Sequence, residues 1–418
     1  MLSRKWLFAL PLLVAACGVS SDPTDEAGGA EEEVAALSPA KISAELIAEP
    51  SKLPSQPPAL GSQRVHLIDV GTGLSILIQG HDFTMLYDGG SNDDSKGVTP
   101  SAGSAGNQSR LLAYLFAAVG PSGGPECVPQ GDKWKKGETF PEKTIDHLVL
   151  SHAHRDHISM LGDVLHCYKV SNVWEPGAVY DQSAYRDFVA SVAAEPGVVY
   201  HTAAAPPSPL PKTWQGATLP SGFKWTKFAE NDQVTLGNQA SFKVLHVDPT
   251  APLSEANNSS VVLRMALRNR MLLLMGDAQG GARDVPDASV NSVEKELLAR
   301  HAKELDADIF QIGHHGSSTS SRKEFLNAVF PAATASATRP RFALLSAGPT
   351  PYAGQVLPDR SIVDEIMHGH PGMELHATNT HDRLGGPGHP DRCPAADRVG
   401  MDDEAPGGCD NVVLKIAP

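Results

Sequence analysis

The chain is short of positive charge, of long apolar runs and of repeats, and each shortage removes a class of function. Its 34 Lys and Arg stand against 48 Asp and Glu, a formal charge of −14. A general nucleic-acid coat or a binder of anionic lipid surfaces works by presenting Lys and Arg to phosphates, so neither fits and no stable nucleic-acid binding is expected. Beyond the N-terminal segment there is no run of about 18 apolar residues, so no membrane-spanning helix is expected. No internal period of the solenoid kind is present. Gly71-Thr72-Gly73 lacks the third glycine and following helix of a dinucleotide loop. Cysteine is scarce, with five in 418 residues, while 41% of the chain is hydrophobic and 20% charged. That composition is too apolar for a disordered chain and ample for a large core, so the fold does not depend on staples.

The first residues are built differently from the rest. Arg4 and Lys5 precede an apolar stretch, Trp6 to Val14, which is too short to cross a bilayer and reads as an export signal. It ends in Val14-Ala15-Ala16-Cys17, and small residues before a cysteine resemble the bacterial lipoprotein signal, in which that cysteine is acylated. Residues 1–17 are therefore expected to be a leader with Cys17 lipidated, the lipid being the only membrane attachment of an exported protein at a bacterial cell membrane. Residues 18–60 carry eight acidic residues against Lys41 and Lys52 among Ser, Pro, Ala and Gly, the composition of a disordered acidic tether.

From Val65 on, short apolar runs alternate with turn residues. Val65 to Val70, Ser75 to Ile78 and Phe83 to Tyr87 read as strands of a meander. Arg110 to Val119 and Ile158 to Cys167 have helical spacing around a buried strand at His147 to Leu150. Strands at Phe242 to His246, Val261 to Ala266, Met271 to Met275, Ile309 to Ile312 and Phe342 to Ser346 then alternate with helices at Ser292 to His301, Lys323 to Phe330 and Arg360 to His368. The order predicts a layered α/β sandwich over 61–418. Two Gly- or Pro-rich insertions, near 120–143 and 204–222, and a cysteine-bearing tail over 378–411 interrupt it before a last strand, Val412 to Ile416. Cys393 and Cys409 lie close enough to close one loop, with Cys127 then pairing Cys167, although four cysteines allow three connectivities.

The segment that carries the chemistry is Ser151-His152-Ala153-His154-Arg155-Asp156-His157, four metal-capable side chains within six residues directly after a buried strand. Imidazole and carboxylate are ligands for borderline cations, and open sites made of them activate water. One histidine at a strand end is usually structural. Three with an aspartate would crowd titratable groups for no gain in packing.

This segment resembles the His-x-His-x-Asp-His signature of the metallo-β-lactamase superfamily. The resemblance implies an αβ/βα four-layer sandwich with two divalent metal ions, expected to be zinc with manganese as the alternative, at one edge. His152 and His154 would belong to the first ion, and Asp156 and His157 to the second. Asp277 in Met275-Gly276-Asp277 would bridge them, and Asp88 in Tyr87-Asp88-Gly89-Gly90 would orient the ligand loop. The closest likeness is to the C-terminal β-lactamase-like domain of the competence protein ComEC. It is carried by His66-Leu67-Ile68-Asp69-Val70-Gly71, Asn257-Asn258-Ser259-Ser260 and Gly313-His314-His315-Gly316-Ser317, so Asp69, Asn257, Asn258 and Ser317 become supporting candidates. Thr72 and Leu74 stand where that branch has Gln and Asp, and Asn257-Asn258 stand where many members place a third histidine of the first site. His246 is read as structural.

Adjacent residues of extended chain point opposite ways. His315 is thus taken as the ligand and His314 as a catalytic residue facing substrate, beside Asp156 and Asp277. The implied activity is hydrolysis by a metal-activated hydroxide, directed first at phosphodiesters, with lactone, β-lactam or other acyl bonds as the alternative. A metal-binding surface module without turnover is the non-enzymatic reading. The partner expected is an anionic or ester-type substrate. Lys133-Trp134-Lys135-Lys136 and the dispersed histidines His368, His370, His376, His381 and His389 read as solvated, and Arg322 and Lys323 as either anion contacts or a helix start.

Overall fold

The computed structural model describes residues 40–47, 53–94, 109–129, 137–180, 182–281, 292–334, 339–352, 354–370, 372–379 and 410–418. Strands β1 (Lys41–Ile47), β2 (Gln63–Leu67), β3 (Gly73–Gln79) and β4 (Thr84–Ser91) come first, then β5 (Thr144–Val149), β6 (Lys169–Glu175), β7 (Val199–Thr202), the short β8 (Thr213–Trp214) and β9 (Ala217–Thr218), and β10 (Lys224–Lys227). They are followed by β11 (Gln233–Gly237), β12 (Ala240–His246), β13 (Val262–Leu267), β14 (Arg270–Leu274), β15 (Ile309–Gln311), β16 (Arg341–Leu345), β17 (Met373–Ala377) and β18 (Asn411–Ala417). One sheet runs β1-β18-β2-β3-β4-β5-β6-β7-β10 and the other β11-β12-β13-β14-β15-β16-β17.

Each sheet is antiparallel where tight turns join its strands and parallel where a helix returns the chain. The returning helices of the first sheet are α1 (Arg110–Ala118), α2 (Arg155–Ile158), α3 (Leu161–Cys167) and α4 (Ser183–Ala194); those of the second are α5 (Val293–His301), α6 (Lys323–Val329) and α7 (Arg360–Asp364). Side-chain alternation sorts the strands into layers. Ile76 and Ile78 point inward and meet Phe242, Leu263, Leu272 and Phe342 of the other sheet. Leu77, between them, points outward onto Leu111 and Leu115 of α1. On the far side Phe310 and Leu345 carry Leu297, Leu326 and Ile362 of α5, α6 and α7. Helix, sheet, sheet, helix is the αβ/βα sandwich, and covering both faces is why all seven residues of β3 are buried.

Three expectations need correction. The tether was expected to run to residue 60, yet β1 lies inside it and pairs over its whole length with β18, because Ile42 and Ile47 have an apolar surface to bury on. The expected helix from Ile158 to Cys167 begins earlier, at Arg155, and is broken after Ile158, where Met160 N–H donates to Gly89 O at 2.9 Å. The helix expected to run from Arg360 to His368 keeps α-helical form only to Asp364 and ends in a wider turn over Glu365–Gly369. Within the segment 204–222, β8 and β9 form a small hairpin whose Trp214 packs edge-on against Trp225 at 5.0 Å. Cys127 and Cys167 are disulfide-bonded across 40 residues of sequence. Cys17, Cys393, Cys409 and the Lys133 to Lys136 patch lie outside the described residues. Among the described residues, no helix is long and apolar enough to cross a membrane.

Candidate metal centre

The loop that follows β5 is held by one buried carboxylate. Asp88 Oδ1 accepts from Ser151 N–H at 2.6 Å, and Oδ2 accepts from Ser151 Oγ–H at 2.6 Å and His157 Nδ1–H at 2.8 Å. Asp88 is fully buried and has a φ of 59°, a backbone form rare outside glycine, asparagine and aspartate. The glycines around it let the loop lie directly on the sheet: a Cβ at Gly90 would stand 2.4 Å from His157 N and one at Gly73 2.8 Å from Asp156 O. Local sequence thus sets the loop's height, and Asp88 sets its direction.

Two sets of ligand atoms converge at this edge, one of Asp156, His157, Asp277 and His315 and one of His152, His154 and Asp277. His157 Nε2 lies 3.2 Å from Asp277 Oδ1, 3.3 Å from His315 Nε2 and 4.0 Å from Asp156 Oδ2. His315 Nε2 is 3.3 Å from Asp156 Oδ2 and 3.6 Å from Asp277 Oδ2. In the other set His152 Nε2 is 3.0 Å from His154 Nδ1 and 3.8 Å from Asp277 Oδ2. Asp277 belongs to both, with Oδ1 beside His157 and Oδ2 between His315 and His152, and arrives there because Gly276, at φ +56°, turns the chain after β14.

The electrostatics are those of a site waiting for cations. Burial alone would push every imidazole pKa down. For His157 the carboxylates Asp277, Asp88 and Asp156 overturn that and hold it well above the ordinary value, and for His315 Asp277 and Asp156 outweigh burial and raise it. For His152 burial wins, aided by His157. Burial would raise the Asp277 pKa, but His157 and His315 hold it well below the usual carboxylate range. Asp277 Oδ1 is buried and makes no hydrogen bond of ordinary geometry, although His157 stands beside it. Imidazole nitrogens and carboxylate oxygens brought this close together form a nitrogen and oxygen donor set suited to borderline divalent ions.

The family model of the metallo-beta-lactamase superfamily matches residues 68–338. The chain belongs to the metallo-β-lactamase superfamily. Members bind divalent metals, often two, and the residues present here fit that. Similar solved structures include the metallo-beta-lactamase fold protein YhfI of Bacillus subtilis, with 12% identity, 76% of this chain and 96% of that one covered, and a TM-score of 0.38. Another is the metallo hydrolase Igni18 of Ignicoccus hospitalis, with 9% identity, coverage of 76% and 95%, and a TM-score of 0.35. A third is the metallo-beta-lactamase MIM-1 of Novosphingobium pentaromativorans, with 15% identity, coverage of 68% and 85%, and a TM-score of 0.29. No curated protein matches the chain in sequence.

Within this superfamily member the histidine pair of the Gly313 loop divides. Both residues have positive φ, 50° for His314 and 53° for His315, so the backbone is coiled there rather than extended. His315 turns inward, fixed by its Nδ1 on Ser346 O at 2.9 Å. His314 stands at the mouth, with Nδ1 2.7 Å from Thr319 Oγ1 and 3.1 Å from Gln279 Nε2, and Nε2 accepting from Asn257 Nδ2 at 3.2 Å. It is 4.0 Å from Asp277 and in neither ligand set.

Of the supporting candidates only Asn257 reaches the site. Asn258 turns its amide to Glu255 and uses its carbonyl to accept from His246 Nε2, which makes His246 a structural histidine. Asp69 instead pins the Gly71 turn and the start of β18, accepting from Gly71 N and Asp410 N. Ser317 contacts Thr319 at 3.1 Å and so touches His314 only through it. Arg322 begins α6 and donates to Gly280 O, and the tail histidines within the described residues join no ligand set.

Sequence reasoning missed Gln279 and Thr319, both beside His314, and above all Tyr352. The Tyr352 hydroxyl donates to Asp156 Oδ2, and its ring lies nearly parallel to that of His315, 5.4 Å away. Pro351-Tyr352 sits in a loop without periodicity, so only its place in the fold reveals it.

Proposed function

We propose that the protein is an exported, lipid-anchored hydrolase of small or short phosphodiesters that uses two divalent ions. The observation that carries the reading is Asp277, one buried carboxylate shared by two sets of converging ligand atoms. Bound ions would supply Lewis acidity, lowering the pKa of a shared water toward about 7 and neutralising charge on a substrate oxygen. His152, His154 and Asp277 would hold the first, and Asp156, His157, Asp277 and His315 the second. Zinc suits this donor set, and manganese is the alternative.

The residues around the ions do the rest. Asp88 keeps the proton of His157 on Nδ1, leaving Nε2 free to bind. Five of the ligand residues are buried, whereas His154, Asn257 and His314 are partly open, so substrate enters from their side. His314 presents Nε2 beside Asn257 at that mouth, where its lone pair can take a proton from water or substrate. Asn257 stands at the same place, its side chain beside both His314 and His154.

The negative body argues against a long nucleic-acid duplex and for a small anionic substrate drawn in by the ions themselves. The likeness to the competence branch supports phosphodiester chemistry over acyl chemistry. The leader ending at Cys17 and the bonded Cys127 and Cys167 support an oxidising, extracytoplasmic location. The test is the purified chain without its leader, assayed with bis(p-nitrophenyl) phosphate, a lactone and a chromogenic β-lactam, with and without chelator. Chelator-sensitive turnover of the phosphodiester is expected, and turnover of the acyl substrates alone would overturn the choice.

A further inference from the structure

The segment after β16 is tied down at more points than a connecting loop needs. Ser346 Oγ donates to Gly73 O at 2.6 Å, and Thr378 Oγ1 both accepts from Ala347 N and donates to Ala347 O. Gly348 lies so close to the Gly71 turn that a Cβ there would stand 2.1 Å from Thr72 N. Thr350 N–H donates to Thr72 Oγ1 at 2.9 Å, and Thr350 Oγ1 donates to Asp93, which also accepts from Thr72 N–H. The residue at the end of this anchored path is Tyr352. Its backbone is paired with Gln355 in both directions at 2.8 Å, so hydroxyl and ring are held from two sides. Thr72, which replaces the glutamine of the related branch, is thereby a loop anchor.

We infer that Tyr352 is a positioning residue of the second metal position, its hydroxyl fixing the carboxylate of Asp156 and its ring fixing the imidazole of His315. The inference rests on the two-ion reading above. Asp156 Oδ2 is the oxygen that faces His315 Nε2, so the hydroxyl acts on the ligand atom itself. His315 is then held at Nδ1 by Ser346 O and across its face by the tyrosine, which leaves Nε2 one direction in which to point. Partners of this kind change metal affinity or activity by about 10- to 100-fold when removed.

The experiment is a cobalt(II) titration of the full metal-free chain, followed by its visible absorption, with the thermal midpoint of each metal-free variant measured beside it. His315→Ala and His154→Ala identify which binding event belongs to the second and first positions. Tyr352→Phe is expected to weaken the second event by about 10-fold or more and shift its band, with the first event and the metal-free midpoint unchanged; Tyr352→Ala should weaken it further. Two cobalt ions bound equally by wild type and Tyr352→Phe would overturn the inference alone. Equal weakening of both events together with a lower metal-free midpoint would also overturn it, since that is a packing effect. Fewer than two ions bound by wild type would end the two-ion reading and the inference with it.

Discussion

Replacing Asp88 by Asn exchanges one carboxylate oxygen for an NH2 group and should weaken one metal position. The carboxylate accepts from Ser151 N–H, Ser151 Oγ–H and His157 Nδ1–H, the last two at the same oxygen. In the amide, Oδ1 still accepts from Ser151 N–H, so the NH2 group must face His157 Nδ1. Two donors cannot face each other, so the imidazole proton moves to Nε2, the nitrogen that points at Asp277 and His315. Restoring the metal-binding tautomer means forcing donor against donor and losing one charge-assisted hydrogen bond, about 1.5 to 3 kcal/mol. That converts to about 10- to 150-fold in affinity at the second position. Zinc competition titration of wild type and Asp88→Asn would read it directly, with His315→Ala marking the second event. Asp69→Asn is the control, since that equally buried carboxylate serves the Gly71 turn instead. Unchanged zinc affinity in a folded Asp88→Asn protein would refute the tautomer argument.

Other outcomes follow from the same contacts. His315→Ala should lose one metal per chain by elemental analysis, whereas His314→Ala should keep both and lose about 100-fold or more in turnover, the range for a proton-transfer group. Cys127→Ser with Cys167→Ser opens a loop of 40 residues, and chain entropy predicts about 4 kcal/mol less stability in denaturant titration. Glu175 is buried, with Tyr200 Oη–H donating to it at 2.6 Å, and burial raises its pKa to about 7 against hydrogen bonds from Tyr200, Gly177 and Tyr185 that lower it. The folded protein therefore holds a proton that the unfolded chain releases near pH 4.5, so this group makes stability fall as pH rises from about 4.5 to 7. Glu175→Gln should flatten that slope in denaturant midpoints measured across the window.

What could be read from the residues follows where information is local. The His152 to His157 cluster was legible because its spacing has no packing explanation, and the β3, β4 and β14 strands because short apolar runs bounded by turn residues mark them. β1 was not legible, since Lys41 to Ile47 lies among the acidic, Pro- and Ser-rich residues of a tether and becomes a strand only through its partner β18, more than 360 residues away. Tyr352 escaped for a similar reason. Nothing in Thr350-Pro351-Tyr352 signals a metal site until the anchors at Thr72 and Asp93 place it over His315. The break after Ile158 comes from Gly89 O, a tertiary contact that helical periodicity cannot register.

The central claim is that Asp277 joins two metal positions at one edge of the sandwich. A crystal grown with zinc, measured on both sides of the zinc absorption edge, tests it most directly. The account predicts two anomalous peaks about 3.5 to 4 Å apart flanking Asp277, one bounded by His152 and His154 and the other by Asp156, His157 and His315. A map with no peak at Asp277, or one in which the ions sit on other residues, would contradict it.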